Sequence, residues 1–463
     1  MTPFVRVIGA GLAGCEAALQ LASFGHQVHL YEMKPHKKTP AQKLDGICEL
    51  VCSNSFRSDK PQNAVGLLKD EMLALNGFLM RIALKAKVPA GDSLAVDRVL
   101  FSKLVERAIL TDSNIQLMRK EVVSLPIDDI PTIVATGPLT GEALASDVSR
   151  FIGTEHLSFY DAIAPIVDSE SVDMAHAYKK SRWQEEGEGD FINCPLDQET
   201  YGRFVAYLNN SMGTKKHAFE QEHYFEGCLP LEVMAKRGVD TLRFGPLKPV
   251  GLEDPRTGVR PHAVIQLRKE DRYGQSYNLV GCQTRMTISE QRDAFALIPA
   301  LRNAVFMRFG SIHRNTYVNS PQVLDERLKI KNAQGSPSNI YLAGQLTGVE
   351  GYVESMAVGL LLSHILDDEL LGKGFWPLPK ESALGGLYGH VLGHHRHRPQ
   401  DPFTPSNVTW AMLPPVEVKR RVGRMEKRKL LYERAMAAIA GYAKGREDRC
   451  AVALGHENQQ ALG

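Results

Sequence analysis

Cysteine is scarce in this chain: seven residues in 463, an odd number, at Cys15, Cys48, Cys52, Cys194, Cys228, Cys282 and Cys450. That density excludes a disulfide-stapled scaffold and suits reduced thiols in a cytoplasmic setting. Cys48 and Cys52 form a C-x-x-x-C, but no second Cys or His pair stands near enough in sequence to complete a zinc tetrahedron, so no metal is expected. A surplus of charge is missing too. Fifty-five Lys and Arg against 53 Asp and Glu leave a formal net charge of +2, so an anionic partner must be met by local patches. No run reaches the roughly 18 apolar residues of a membrane span. The first apolar stretch is already a strand, so neither a cleavable leader nor a membrane anchor is expected. No internal repeat is evident.

What is present begins at the N-terminus. Phe4 to Ile8 (FVRVI) is apolar enough for a buried parallel strand. Gly9, Ala10, Gly11, Leu12, Ala13 and Gly14 follow, with the glycines in G-x-G-x-x-G spacing. The first glycine permits the tight turn, the second lets the backbone approach a pyrophosphate, and the third lets helix and strand pack closely. Leu12 to Phe24 has helical spacing and stops at Gly25. Its free N–H groups and positive dipole end would face phosphates. Gln27 to Glu32 (QVHLYE) reads as the second strand, and Glu32 at its end suits the ribose hydroxyls. Strand, glycines, helix, strand and acid in that order point to a dinucleotide.

A second glycine-dense strand-to-helix turn, YLAGQLTGVEGY, lies at 341–352. Turns of this kind close two-dinucleotide flavoproteins over the far end of FAD, so the fold expected is α/β: a two-dinucleotide-type FAD-binding Rossmann domain with a mixed α/β insertion domain. The boundaries expected are 1–155 and 316–385 for the two parts of the FAD-binding domain, 156–315 for the insertion facing the substrate, and 386–463 for a basic C-terminal loop and helix. Residues 64–87 read as one long amphipathic helix, Val99 to Leu110 as another, 386–409 as loop, and Val416 to Ala440 as a basic helix. ATGPLT at 135–140 reads as a strand end returning beside the cofactor.

Cys52 and Cys228 sit in turn-rich company, in LVCSNS and FEGCLPLEVMAKRG. A cysteine beside glycine at the mouth of a helix can be exposed and reactive; a buried small residue is the plainer reading for each. These segments also resemble a family. GAGLAG (9–14), LYEM (30–33), ELVCSNS (49–55), NAVGLLKDEM (63–72), AVDR (95–98), FEGCLPLEVMAKRG (225–238), FGPLKPVGL (244–252), HRNTYVNSP (313–321) and LAGQLTGVEGYVES (342–355) are similar to the folate- and FAD-dependent uracil-5 methyltransferases of bacteria, above all those that make ribothymidine in the tRNA T-loop. The resemblance runs from Val7 to about Gly385. It departs at GCQT (281–284), where the family pattern has G-F-Q-T, and in the His-rich C-terminal region.

The resemblance implies FAD, 5,10-methylenetetrahydrofolate as the one-carbon donor and NADH or NADPH as reductant, with no obligatory protein partner. It implies Cys228 as the nucleophile that adds to carbon 6 of uracil, and Cys52 as its partner in removing the carbon 5 proton. Glu32 would hold the adenosine ribose. Gly344, Gln345, Gly348, Gly351 and Tyr352 would surround the flavin, Tyr352 reading equally as a core aromatic. His313 would stack on the folate pterin, or simply be hydrogen-bonded; Arg314 and Lys248 would meet the folate glutamate or an RNA phosphate, a solvated charge being an equal reading for both; Asp97 and Arg98 read as an internal ion pair. The RNA partner would be tRNA, or else 23S rRNA methylated by the same chemistry. Readings of other kinds are a relative of the wobble-uridine-modifying flavoproteins, a generic NAD(P)H-dependent reductase, and an RNA-binding flavoprotein without methyltransferase activity. Basic residues for RNA are diffuse: Lys34 to Lys43, Arg57, Lys60, Lys179 to Arg182, Lys215, Lys216, Lys236, Arg237 and the helix from Lys419 to Arg434.

Overall fold

The structure is a computed structural model that describes residues 4–39, 41–153, 157–183, 189–213, 229–395, 403–417 and 422–460. Its main sheet takes strands from both ends of the chain. The order is Lys329–Lys331, Pro337–Leu342, Thr132–Val134, Phe4–Ile8, Gln27–Glu32, Ile115–Arg119. All neighbours are parallel except the first pair. The apolar FVRVI strand pairs on both sides, with Gln27–Glu32 and with Thr132–Val134, so its place is the sheet centre. Sequence order alone would not seat a strand from residue 340 beside one from residue 132. The register Tyr341 against Ile133 does so.

Helix Leu12–Ser23 lies between this sheet and helix Tyr352–Leu370. Ten of its twelve residues are buried, which is why it carries Ala, Gly and Cys rather than a polar outer stripe. The two helices touch through backbone: a Cβ on Gly359 would stand 2.3 Å from the carbonyl oxygen of Ala13.

The segment 64–87 is two helices, Ala64–Ala74 and Phe78–Lys85, not the single one its apolar spacing suggests. Asn76 adopts φ +62, a left-handed turn that asparagine tolerates. The buried Glu16 carboxylate then caps the second helix, accepting from the N–H of Phe78 (2.9 Å) and Leu79 (2.7 Å). A tertiary cap from sixty residues away leaves no local signal.

The second sheet is antiparallel: Tyr178–Lys179, Phe191–Leu196, Ala263–Lys269, Ser276–Leu279, Ile166–Asp168, Phe306–Arg308. Helices Gln198–Asn210, Leu231–Arg237 and Ile288–Ala296 close a separate apolar core against it. Cys282, at the position where phenylalanine was expected, lies fully buried in that core, and burial pushes its thiol up. A two-stranded ribbon, Leu157–Ile163 with Ser311–Tyr317, joins the two sheets.

The C-terminal region departs from the expected loop and helix. A helix, Ala383–Val391, reaches into the segment read as loop, because Ser382 caps it and the Glu71 carboxylate accepts from the N–H of Ala383 (2.7 Å) and Leu384 (2.8 Å). The last helix runs Arg424–Gln460 rather than Val416 to Ala440. Its Arg446 is held in a buried cluster, donating to Asp367 at 2.8 Å and to the His364 carbonyl at 3.2 Å, with Asp368 at 3.1 Å. His364 itself lies beneath this helix against Tyr442 and Phe24, and its Nδ1 has no hydrogen-bond partner. Burial, and then the Arg446 charge, hold its imidazole well below the ordinary value of 6.5. Below that pH the unfolded chain therefore takes up a proton that the folded chain refuses. Stability is expected to fall with pH by up to about 1.4 kcal/mol per unit below the ordinary histidine pKa. His364→Phe should flatten that slope, read from urea midpoints at pH 7.5 and 5.5; parallel slopes would contradict it.

Candidate functional site

The two glycine turns meet. Gly9 adopts φ +102, and a Cβ there would lie 2.7 Å from the Ala135 carbonyl oxygen. Gly14 is pressed harder: its Cβ would fall 1.9 Å from the Gly9 oxygen. At the other turn Gly344 has φ +70, and a Cβ would come within 2.8 Å of Ala13 Cβ. Residues more than three hundred positions apart thus share the N-terminus of one helix.

A cleft opens on the first turn, lined among others by Gly9, Gly11, Glu32, Lys34, Glu49 and Thr140. Glu32 is 7% exposed. It accepts from Ala10 N–H at 3.1 Å and Lys34 N–H at 3.0 Å, which fixes the carboxylate at the strand end. Little stands before Gly11, whose Cβ would meet only the Ala135 oxygen at 4.0 Å, so a pyrophosphate can come up to the backbone there. The cradle fits a dinucleotide: glycines where side chains would collide, a helix N-terminus, and the Glu32 carboxylate at the end of the neighbouring strand, lining the same cleft. Cys48, with φ +53, lines the same cleft, and its N–H donates to the Ala10 oxygen at 2.8 Å. Its proximity to the buried Cys15 is not legible from their spacing.

The far end is built around Cys52, which is half-buried. Its N–H and that of Ser53 both donate to the phenol oxygen of Tyr352, at 2.8 and 3.0 Å. Burial pushes that phenol up, with the nearby Cys52 adding to the effect. Tyr352 also packs edge-on against Phe56, ring centroids 5.9 Å apart. It therefore ties the start of its helix to the Cys52 loop, a role the sequence did not suggest. On the other side, Arg98 and Arg308 donate to the Cys52 carbonyl at 3.3 and 3.1 Å. The expected Asp97–Arg98 pair is not formed. Asp97 caps helix Arg98–Thr111 through the Leu100 N–H, and Arg98 instead pairs with Glu270 at 2.5 Å across to the second sheet. Helix capping claims an aspartate at that position before a neighbour can.

The remaining glycine-turn residues have varied surroundings. Gln345 donates to Glu350 at 2.5 Å. Gly348, φ +78, makes room for the Phe403 ring, which a Cβ would meet at 2.3 Å. Gly351, φ +111, opens helix Tyr352–Leu370 over the Glu354 carboxylate, which Arg57 bonds. Of the other predicted residues, His313 and Arg314 lie on strand Ser311–Tyr317, in register with Asp161 and Tyr160. Cys228 lies outside the described residues, as do Lys215 and Lys216. Several basic residues expected to serve RNA already have carboxylate partners: Lys34, 1% exposed, pairs with Glu49 at 3.2 Å, Arg57 with the buried Glu354, and Lys60 with Asp92 at 2.7 Å on the surface. Among the described residues no group of three or more His, Cys, Asp or Glu could hold a metal ion, and no helix is long and apolar enough to cross a membrane.

Comparison with known proteins agrees with this geometry. The family model described as glucose inhibited division protein A matches residues 4–374. The methylenetetrahydrofolate–tRNA-(uracil-5-)-methyltransferase TrmFO of Anaeromyxobacter dehalogenans is 49% identical over 437 residues, covering 94% of this chain and 95% of that protein. The proteins of the same name from Acetivibrio thermocellus and Syntrophus aciditrophicus are 48% and 44% identical, over 95% and 94% of this chain and 98% and 96% of theirs. Among solved structures, Aquifex aeolicus GidA aligns with a TM-score of 0.65 at 15% identity, over 96% of this chain and 73% of that one, which shows the shared fold. The fold is thus a GidA-like FAD-binding Rossmann α/β fold, and the chain belongs to the glucose inhibited division protein A family and, within it, to the TrmFO group.

Proposed function

We propose that this chain methylates carbon 5 of a uridine in tRNA, that of the T-loop, with 5,10-methylenetetrahydrofolate as one-carbon donor, FAD as resident cofactor and NADH or NADPH as external reductant. The observation that carries this is the seating of Cys52: a half-buried thiol where the dinucleotide fold meets the second sheet, its peptide gripped by Tyr352 on one side and arginines on the other. A reductase would need the cleft but no such cysteine. FAD, when bound, supplies reducing equivalents and relays the one-carbon unit.

The chain's own residues do the rest. Gly9, Ala10, Gly11, Leu12, Ala13 and Gly14 would hold the pyrophosphate, and Glu32 the ribose. Gly344, Gln345, Gly348, Gly351 and Tyr352 would border the flavin ring, with His313 and Arg314 towards the folate. Cys228 adds to carbon 6 of the uracil and makes carbon 5 nucleophilic. Cys52 takes the carbon 5 proton. The uridine must first leave its stack, at a cost of a few kcal/mol. In this scheme residues 1–155 and 316–385 serve the cofactor, 156–315 present the RNA-facing side, and Leu387, Leu431 and Ile439 of the last two helices pack on the core of the cofactor domain.

The test is methyl transfer to unmodified tRNA transcript and, in parallel, to 23S rRNA fragments. Product at the T-loop uridine alone supports the proposal. Product in rRNA alone would move the target to the ribosome, and product in neither would leave a flavin reductase or an RNA-binding flavoprotein.

A further inference from the structure

An open groove lies between the start of helix Ala64–Ala74, the turn Trp410–Met412 and the first turns of helix Arg424–Gln460. Its volume is about 480 Å³, and Arg57, Ser58, Asn63, Trp410 and Arg428 are in its wall. Among the described residues that line it there is no Asp or Glu. The space suits a ligand of nucleotide size.

The wall is built rather than incidental. Arg57 adopts φ +61, uncommon for a residue with a side chain. Lys69, 2% exposed, holds it there: its Nζ donates to the carbonyls of Arg57 at 3.2 Å and Ser58 at 2.7 Å. The Arg57 guanidinium gives one nitrogen to the buried Glu354 carboxylate, yet its side chain stays 37% exposed. Trp410 spends its indole N–H on the Gln62 oxygen at 3.1 Å, so it offers the groove only its ring. Arg428 is half-buried. Arg424 and Lys427 are exposed on the same helix end, and Lys427 and Arg428 stand three and four residues after Arg424, as neighbours on the helix surface. Among the described residues none of these three has a carboxylate partner; the ion pair of this helix end is Lys429 with Glu433 at 3.8 Å.

An aromatic ring between guanidinium groups, in a groove without acids, is the complement of a nucleotide strand. A base has a π-face for the indole, and the phosphates beside it have charge for the arginines. The basic stripe runs on past the groove through Arg424 and Lys427, which a polyanion uses and a single small anion does not. The groove also adjoins the reacting site. Arg57 follows Cys52 by five residues, so their Cα atoms are at most about 18 Å apart. Glu354, which Arg57 bonds, lies two residues after Tyr352, whose hydroxyl holds the Cys52 peptide. We propose that this groove docks an unpaired stretch of the tRNA substrate, with one base on Trp410 and phosphates on Arg57 and Arg428. The inference rests on the proposed function and narrows its scattered basic residues to one surface. The role is binding alone: the groove holds RNA beside the site and takes no part in bond making.

The test titrates full-length, FAD-loaded enzyme with tRNA transcript between about 50 and 200 mM salt. Arg428→Glu should weaken binding about ten-fold and reduce the salt slope by about one. Trp410→Leu should weaken it about as much with the slope unchanged, because stacking releases no counterions. Arg107→Glu makes the same charge change at an exposed arginine of helix Arg98–Thr111, and should stay within about two-fold of wild type, as a screened surface charge does. In Arg428→Glu the KM for tRNA should rise, while kcat at saturating tRNA and flavin reduction by NADPH hold. Equal weakening by Arg107→Glu would mean diffuse attraction and overturn the proposal. A raised KM for NADPH with RNA affinity intact would make the groove a cofactor site and overturn it too. If Trp410→Leu does not fold, Arg428→Glu decides alone. The wild type is read first: no methylation of any RNA would fell the proposed function and this inference with it. Methylation of tRNA by the wild type, with normal binding in the groove variants, would fell this inference only.

Discussion

Cys228→Ala is expected to lose methyl transfer to tRNA by at least about 10⁴-fold, the scale on which removal of a covalent nucleophile acts. Without thiolate addition, carbon 5 of uracil remains a weakly nucleophilic carbon of a conjugated ring, and positioning by other residues does not give it the reactivity of an enolate. NAD(P)H-dependent reduction of the flavin should continue at the wild-type rate, because Cys228 belongs to a segment remote in sequence from both glycine turns. Paired measurement of RNA methylation and NADPH-dependent flavin bleaching checks this. Loss of both would mean that the residue supports the fold, and retention of methylation would mean that another group is the nucleophile.

Gly14→Ala is the second large effect. The added Cβ would lie 1.9 Å from the Gly9 carbonyl oxygen, a backbone atom that cannot swing aside. Gly9 cannot retreat either, since Ala135 and Thr136 backbone stands within 2.8 Å of its own Cβ position. The helix must back away from the strand, and on its other face it meets helix Tyr352–Leu370 through Ala13 and Gly359. Overpacking of this kind costs about 1–3 kcal/mol or more. The distortion falls on the turn that would cradle the pyrophosphate, so FAD affinity should drop by about two orders of magnitude, roughly the 2.7 kcal/mol that displacing the phosphate-binding N–H groups would cost. Flavin fluorescence titration of the apoprotein reads it. Unchanged affinity would place the dinucleotide elsewhere.

Both ends of the dinucleotide fold were legible because glycine spacing and strand apolarity are local signals: Gly9, Gly11, Gly14 and Glu32 needed only a window of thirty residues. That the two turns serve one fold was legible too, but the direct approach of Gly344 to Ala13 was not. What stayed hidden was tertiary. Glu16 and Glu71 look like ordinary helix residues, yet each caps a distant helix and sets where it begins. Tyr352 read equally as core aromatic or flavin contact, and the structure shows its hydroxyl holding the Cys52 and Ser53 peptides. Arg98 looked like the partner of its neighbour Asp97, but capping took the aspartate and Glu270 from the second sheet took the arginine. Arg98 and Arg308 both reach the Cys52 carbonyl, one from the start of a helix and one from a strand of the second sheet, and neither position in the sequence announces it.

The central claim is that carbon, not just electrons, passes from folate to RNA. Its most direct test is a single incubation of wild-type enzyme with tRNA transcript, NADPH and methylenetetrahydrofolate deuterated at the methylene carbon, followed by mass analysis of the nucleosides. The account predicts 5-methyluridine from the T-loop carrying both methylene deuteriums, formed without S-adenosylmethionine. Undeuterated 5-methyluridine, or NADPH consumed with no modified nucleoside at all, would contradict it.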